Sequence, residues 1–302
     1  MSFVSGFVSI LGRPNAGKST LLNALVGTKV AIVTPKPQTT RTEIQGVVTL
    51  PEAQIVFLDT PGIHKGATAL NRRMMEVVRA ALQERDLLLF LVDAAAPFRE
   101  QDQQALDLIA PGKTPALLVL NKIDRLKEKA QLLALIEKYK SLHEFADYVP
   151  ISARKGEGLD TLRAAIVQRL PEGPAYFPPD HITDQPLRFM VAEIIREKII
   201  NETREEIPHS VAVLIEVWED KPALTHVAAT VYVERESQKG IVIGSKGAML
   251  KRIGTLARQE MERLLERKVF LELFVKVRPH WRESQEFLKE MDWRSMAGLE
   301  AD

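Results

Sequence analysis

Gly12-Arg13-Pro14-Asn15-Ala16-Gly17-Lys18-Ser19 fits the pattern G-x4-G-K-[ST]. A loop of this composition can handle phosphate. Its glycines let backbone amides turn inward around phosphate oxygens, and a helix that starts just after it adds the positive end of its dipole. Lys18 is placed to reach the β- and γ-phosphates, and the Ser19 hydroxyl to ligate Mg²⁺. The nucleotide-binding stretch is therefore read as Gly12, Arg13, Pro14, Asn15, Ala16, Gly17, Lys18, Ser19 and Thr20.

Such a loop does not choose between ATP and GTP. Asn121-Lys122-Ile123-Asp124 does. The Asp124 carboxylate can accept two hydrogen bonds, from the guanine N1–H and the exocyclic amine. Adenine offers no such donor pair, and a polar site left unpaired rejects the wrong base. Lys122 can lay its stem over the base plane, and Ser152-Ala153 would support guanine through backbone contacts. The expected ligands are GTP or GDP with Mg²⁺.

Asp59-Thr60-Pro61-Gly62 supplies the phosphate sensor. Asp59 would hold Mg²⁺ through water, and the Gly62 amide would meet the γ-phosphate. Thr39-Thr40-Arg41 lies where a switch threonine belongs, and Thr40 is favoured over Thr39 for the Mg²⁺ and γ-phosphate contact. The metal set is thus Ser19, Thr40 and Asp59, and the reaction is assigned to Lys18, Thr40, Gly62 and Asn15. Ile63 follows Gly62, at a position where Ras-type enzymes carry a water-orienting glutamine. Isoleucine cannot orient water by hydrogen bonding, so intrinsic turnover is expected to be slow or to draw on another group. Asn15, with backbone carbonyls of the 28–38 loop, is expected to hold a monovalent cation, K⁺, against the phosphates. The competing reading is that Asn15 only shapes its loop. His64 is read as a solvated switch-loop residue rather than a general base.

A second constellation lies far downstream. Lys239-Gly240-Ile241-Val242-Ile243-Gly244-Ser245-Lys246-Gly247 contains a G-x-x-G loop, and Lys251 and Arg252 follow it. Glycines there let a nucleic-acid backbone approach closely, as in KH modules, which clamp about four nucleotides this way. From Ser237 to Arg258 there are basic residues and no acidic one. The expected RNA contacts are Lys239, Gly240, Ile241, Val242, Ile243, Gly244, Ser245, Lys246, Gly247, Lys251 and Arg252, with Ile241, Val242 and Ile243 lining the groove. The alternative is a helix hairpin whose basic face is merely solvated. Trp281, Phe287, Leu288, Met291 and Trp293 are assigned to packing rather than to base stacking.

These residues need elements to hold them. Apolar runs at Phe7–Leu11, Ile55–Leu58, Leu87–Val92, Ala116–Leu120 and Tyr148–Ile151 read as strands buried on both faces of a parallel sheet. Ile44, Val48 and Leu50 suggest one more strand. Leu70, Met74, Val77 and Ala81, and then Leu162, Ile166 and Leu170, recur at helical spacing. The fold class is α/β, with helices on both faces of a mostly parallel sheet over residues 1–172. Five of the 17 prolines fall between Pro171 and Pro186, so 173–186 reads as a linker. The order then changes to α-β-β-α-α-β over 187–302: a helix at 187–203, strands Val211–Trp218 and His226–Glu234, a long helix through Ile253, Ala257, Met261 and Leu264, a strand Val269–Val277, and a final helix at 281–293. This second domain is α+β.

Composition narrows the class. The 302 residues include no cysteine, which excludes disulfides, thiolate metal sites and a cysteine nucleophile. With 41 Lys+Arg against 40 Asp+Glu, the net charge is +1, so any basic surface must be local. No apolar run approaches the length that spans a bilayer, about 20 residues. No Lys or Arg precedes Arg13, which argues against a secretory signal. The chain is expected to be soluble and cytoplasmic, with peripheral membrane contact left open.

The five nucleotide motifs in this order resemble the translation-factor-like GTPases. Asparagine at position 15 is similar to the potassium-activated members. With the switch Pro37-Gln38-Thr39-Thr40-Arg41, the linker and the Gln238–Gly247 stretch, the whole chain resembles the Era family of bacterial GTPases, whose second domain is a type II KH domain. That resemblance implies a GTPase that assists assembly of the small (30S) ribosomal subunit. It implies KH-mediated binding of single-stranded RNA at the 3′ end of 16S rRNA, gated by the nucleotide. It also implies a monomer, with some members lying on the inner face of the cell membrane. The rivals are a membrane-associated signalling G protein whose second domain binds protein, and an RNA-binding module with a vestigial GTPase.

Overall fold

The apolar runs of the N-terminal part become a six-stranded sheet. The computed structural model describes residues 2–296 apart from 64–65, 84, 129 and 204–206. Strands β1 (Val4–Leu11), β2 (Ile44–Thr49), β3 (Ala53–Asp59), β4 (Leu87–Asp93), β5 (Ala116–Asn121) and β6 (Asp147–Pro150) stand in the order β2-β3-β1-β4-β5-β6. Every neighbouring pair is parallel except β2 with β3, which is antiparallel. The connections carry helices α1 (Lys18–Val26), α2 (Ala69–Ala80), α3 (Glu100–Ile109), α4 (Ala130–Lys140) and α5 (Leu159–Val167). Strand β3 is buried at all seven positions, and its middle, Ile55–Leu58, is the unbroken apolar run seen in the sequence.

Two local readings shift. On α2 the buried face is Leu70, Met74 and Val78, continued by Ala81 just past the helix end, and Val77 is only half-buried. Spacings of three and four both keep one helical face, and the sequence does not choose between two adjacent valines. Strand β2 ends at Thr49 and buries Ile44 and Val47, while Val48 and Leu50 stay half-buried. Its Gly46 has no room for a Cβ, because Val26 and Leu22 of α1 lie 2.7 and 2.9 Å from that point.

The chain forms two compact units that divide at 184/185, with Ile32–Thr39 and Thr68–Leu70 belonging to the second. The proline-rich stretch belongs to the first unit through Asp184. It runs along β2 and β3 rather than free. Gln54 on β3 is fully buried, and its amide accepts from Tyr176 N (2.7 Å) and Phe177 N (2.9 Å) and donates to Phe177 O (2.8 Å). Val47 N donates to Ile182 O at 2.8 Å, and Thr183 Oγ1 donates to Gln45 O at 2.7 Å. A buried glutamine amide needs such partners, and this stretch supplies them.

The second unit has the expected order: α6 (Leu187–Glu202), a short α7 (Ile207–Ser210), β7 (Ala212–Asp220), β8 (Leu224–Val233), α8 (Glu236–Ile243), α9 (Ala248–Leu265) and β9 (Lys268–Val277). The sheet order is β7-β8-β9, with β7 antiparallel and β9 parallel to β8. One core joins Ile195 and Ile199 of α6, Val227, Ala229 and Val231 of β8, and Ile253, Ala257 and Met261 of α9. The single terminal helix expected over 281–293 is instead a 3₁₀ turn at Trp281–Glu283, then α10 (Gln285–Glu290) and α11 (Trp293–Met296). The Ser284 hydroxyl accepts from Phe287 N and restarts the helix. Trp281, Phe287, Leu288 and Trp293 are buried, and Trp281 Nε1 donates to Ser210 O at 2.9 Å.

Candidate functional site

The phosphate loop leaves the carboxyl end of β1 and enters α1, the edge of the sheet where ligands bind in open α/β folds. Gly12 has φ 149°, and a Cβ there would lie 2.3 Å from Leu91 O. Gly17 has φ 104°, and a Cβ would lie 2.4 Å from Asn121 Nδ2. Both glycines are therefore fixed by close approach of other strands, not only by the turn. The buried Lys18 ammonium donates to Gly12 O (3.0 Å) and Arg13 O (3.1 Å). Burial pulls Lys18 down to about 8, against the pull of the Asp59 charge. Asn15 is exposed and has φ 62°, a left-handed conformation that asparagine tolerates better than most residues. This gives the loop-shaping role of Asn15 a direct conformational basis beside the cation reading.

Three residues assigned to the metal converge. Ser19 Oγ donates to Asp59 Oδ2 at 2.6 Å and lies 2.9 Å from Thr40 Oγ1, and Thr40 Oγ1 donates to Asp59 Oδ2 at 3.3 Å. Asp59 is fully buried, and its Oδ1 has no hydrogen-bond partner among the described residues. Burial raises the Asp59 carboxyl to about 6, opposed by the Lys18 charge and by bonds from Ser19, Thr40 and the Thr60 amide. A hard oxygen set with one uncompensated buried carboxylate oxygen fits Mg²⁺. Thr39 turns elsewhere: its hydroxyl bonds Thr34 Oγ1 (2.7 Å) and donates to Lys36 O (2.8 Å). Thr60 is buried with its hydroxyl on Ile10 O (2.9 Å), so its side chain ties the sensor to β1. Gly62 packs on the phosphate loop, where a Cβ would lie 2.9 Å from Pro14 Cα. Ile63 is 3% exposed and packs in the core with Leu11, Val78, Leu88 and Phe90. His64 lies outside the described residues.

The Asn121–Asp124 segment is wired to the loop at 12–19. Asn121 Nδ2 donates to Ala16 O (2.9 Å), and its Oδ1 accepts from Lys122 N (2.8 Å) and Ala153 N (3.0 Å). Lys122 has φ 68°, and its Nζ reaches Asn15 O (2.6 Å) and Asp93 Oδ2 (2.7 Å). Asp124 is exposed, and the Ser152 hydroxyl donates to its Oδ1 at 2.7 Å. The Ser152 side chain, and not only its backbone, thus orients the Asp124 carboxylate.

Sequence reasoning missed Asn23, Asp93 and Asp102. Asn23 accepts from Val30 N and Ala31 N, both at 2.9 Å, and donates to Ala31 O at 2.8 Å, which fixes the chain leaving α1. An asparagine inside a helix is the available signal, because it favours bonds to backbone outside the helix.

In the second unit, the G-x-x-G loop joins α8 to α9. Gly244 (φ 71°), Lys246 (φ 49°) and Gly247 (φ 78°) all take positive φ. A Cβ on Gly244 would lie 2.6 Å from Met249 Cβ, whereas Gly240 and Gly247 face open space. Ser245, Lys246, Lys251 and Arg252 are exposed, and Lys239 and Ile243 are half-buried. Ile241 is exposed, but Val242 is fully buried in the core. Val242 therefore does not line a groove. In α8 one side must face the sheet, and Val242 is on it. The basic stretch is also less free than the sequence suggests, because Arg252 pairs with Glu202 (2.6 Å) and Arg258 with Glu262 (2.9 Å).

Comparison with known proteins matches both parts of the chain. Residues 7–122 match the family described as "50S ribosome-binding GTPase", and residues 206–282 match "KH domain". The chain is 52% identical over 293 residues to GTPase Era of Geobacter metallireducens, covering 96% of this chain and 98% of the relative. It is 47% identical to GTPase Era of Ruminiclostridium cellulolyticum, covering 98% and 99%. Among solved structures, an Era variant from Aquifex aeolicus bound to GDP·AlF4⁻ superposes with TM-score 0.93 at 44% identity, covering 96% of this chain and 99% of that one. An Era complex with MgGDPNP and nucleotides 1506–1542 of 16S ribosomal RNA gives TM-score 0.94 at 45% identity, with the same coverage. The Gly12–Ser19 loop, the Asn121–Asp124 segment and the G-x-x-G unit thus sit in a chain that belongs to the GTPase Era family and is a GTPase.

Proposed function

We propose that this GTPase binds single-stranded RNA of the 16S rRNA 3′ end through its KH unit, in a nucleotide-dependent way, and so assists assembly of the small ribosomal subunit. The carrying observation is the meeting of Ser19, Thr40 and Asp59 within hydrogen-bond distance, which supports a switch residue that answers to a metal held there. The relative solved with MgGDPNP and 16S rRNA nucleotides supports the same reading.

Residues 12–20 hold the phosphates, with Asp59, Thr60, Pro61 and Gly62 beside them. Asn121, Lys122, Asp124, Ser152 and Ala153 form the guanine site. Bound at Ser19, Thr40 and Asp59, Mg²⁺ supplies positive charge against the β- and γ-phosphates. Lys18 adds a second positive group, and the Gly62 amide and Thr40 respond to the γ-phosphate. Loss of that phosphate frees Thr40, and RNA affinity changes only by the difference between the two switch states. Lys239, Gly240, Ile241, Ile243 and residues 244–247 contact the RNA, with Lys251 and Arg252, while Val242 supports the loop from the core. K⁺ at Asn15 completes the cofactor set. Residues 173–186 join the domains, and the acting form is a monomer. Among the described residues no helix is long and apolar enough to cross a membrane, and peripheral contact is the membrane association that this reading retains.

The test is binding of a labelled single-stranded oligonucleotide from the 16S rRNA 3′ end, with GDP and with a non-hydrolysable GTP analogue. Tighter binding with the analogue, abolished by Ser245→Asp with Lys246→Asp, is expected. With about four phosphates neutralised, log K should fall against log salt with a slope near −3. Equal affinity in both nucleotide states would refute the gating, and no binding in either would refute the RNA reading.

A further inference from the structure

Arg13 holds the first variable position of the phosphate loop, where the pattern leaves the side chain unspecified. Its side chain is only 7% exposed, and Nε lies 3.4 Å from Oδ1 of Asp102, whose side chain is 3% exposed. Asp102 sits in the first turn of α3, and its Oδ2 accepts from Arg99 N at 2.9 Å. Burial raises the Asp102 carboxyl, against the Arg99 amide bond and the Arg13 charge. A guanidinium turned inward to this carboxylate cannot also meet a phosphate.

A buried ion pair adds little net stability over apolar packing, so stability alone does not account for it. Position does. The carbonyls of Gly12 and Arg13 are the two acceptors of the Lys18 ammonium. Where Arg13 is held therefore sets where Lys18 points. At the other end of the same connection, Asp93 holds Lys122, which in turn holds Asn15 O. The residues flanking the β4–α3 connection thus hold the loop at both ends, Asp102 directly at Arg13 and Asp93 through Lys122 at Asn15.

We infer that Arg13 is a positioning residue: its buried pair with Asp102 holds the phosphate loop and Lys18 in register, and the β4–α3 connection thereby sets how long a nucleoside diphosphate stays bound. This rests on the nucleotide reading of the site. The test is dissociation of fluorescently labelled GDP from the full chain, alongside thermal unfolding. Arg13→Ala and the isosteric Asp102→Asn should each speed release about tenfold, and the double variant should be no faster than the faster single, because contacting groups act as a unit. Arg13→Lys should fall between, since lysine keeps the charge but not the planar fork. Asp102→Asn preserves shape, so it decides the matter should Arg13→Ala not fold. Unchanged release with lowered thermal stability would overturn the inference, as would fully additive effects. Failure of the wild type to bind GDP would instead overturn the nucleotide reading itself.

Discussion

Replacing Ile63 by glutamine would restore the residue type that Ras-type enzymes use to orient water, yet the structure predicts no gain. Ile63 is 3% exposed and packs among Leu11, Val78, Leu88 and Phe90. Its burial contributes about 1.5–3 kcal/mol. An amide placed there without partners costs about another 1–3 kcal/mol. Ile63→Gln should therefore lose roughly 2.5–6 kcal/mol, a large part of the ~5–15 kcal/mol that stabilises a typical domain. Ile63→Val, which keeps the pocket apolar, should lose only about 0.5–1.5 kcal/mol. Urea unfolding of both variants measures these values, and GTP turnover per folded molecule measures the chemistry. A side chain confined to the core cannot come within hydrogen-bond reach of the attacking water, about 3 Å. Turnover of Ile63→Gln should not rise. A glutamine variant that hydrolyses GTP about tenfold faster, with stability within about 1 kcal/mol of wild type, would refute this placement of position 63 in the reaction.

The Asp59 carboxyl, raised to about 6 by burial, should make apparent Mg²⁺ affinity fall about tenfold per pH unit below that value, because proton and metal compete. Its folded pKa lies above the ordinary 3.8, so without Mg²⁺ the folded state binds the proton more tightly than the unfolded chain, and stability should decline as pH rises from 3.8 to about 6. Calorimetry across that window, with and without Mg²⁺, checks both signs. Gly244→Ala forces a side chain into φ 71° with its Cβ 2.6 Å from Met249 Cβ, and RNA affinity should drop about tenfold in an anisotropy titration. Turnover should be about tenfold or more faster in K⁺ than in Na⁺. Asn15→Gly, which keeps the left-handed backbone but removes the ligand, should erase that difference, whereas equal rates in wild type would refute the cation reading.

The phosphate loop was legible because its chemistry is local: glycines, lysine and serine at fixed offsets between a buried strand and a helix. The strands were legible because burial on both faces leaves little room for polar residues, as in β4, where Leu87–Val92 are all buried and apolar. What resisted reading depends on residues distant in sequence. Nothing near Arg13 announces Asp102, and nothing near Arg252 announces Glu202, so a stretch without acidic residues gave an inflated view of its free charge. Val242 stands in a loop-like run of small and basic residues, but helix periodicity in α8 turns it into the core. The choice of Val78 over Val77 on α2 is set by the packing partner, which the local pattern does not contain. Asn23 and Ser152 act on segments that only the folded chain brings to them.

The proline-rich stretch has one more consequence. Strand β2 is the last strand on its side of the sheet, and an open strand edge is a template for pairing with another chain. Here the Val47 amide and the Gln45 carbonyl are engaged by Ile182 and Thr183. The stretch acts as a guard against edge-to-edge aggregation as well as a tether. A fragment that stops near residue 172 would expose that edge and leave the buried Gln54 amide with only its bond to Thr49 Oγ1, without the three to Tyr176 and Phe177. A soluble, non-aggregating GTPase fragment must therefore run through Asp184.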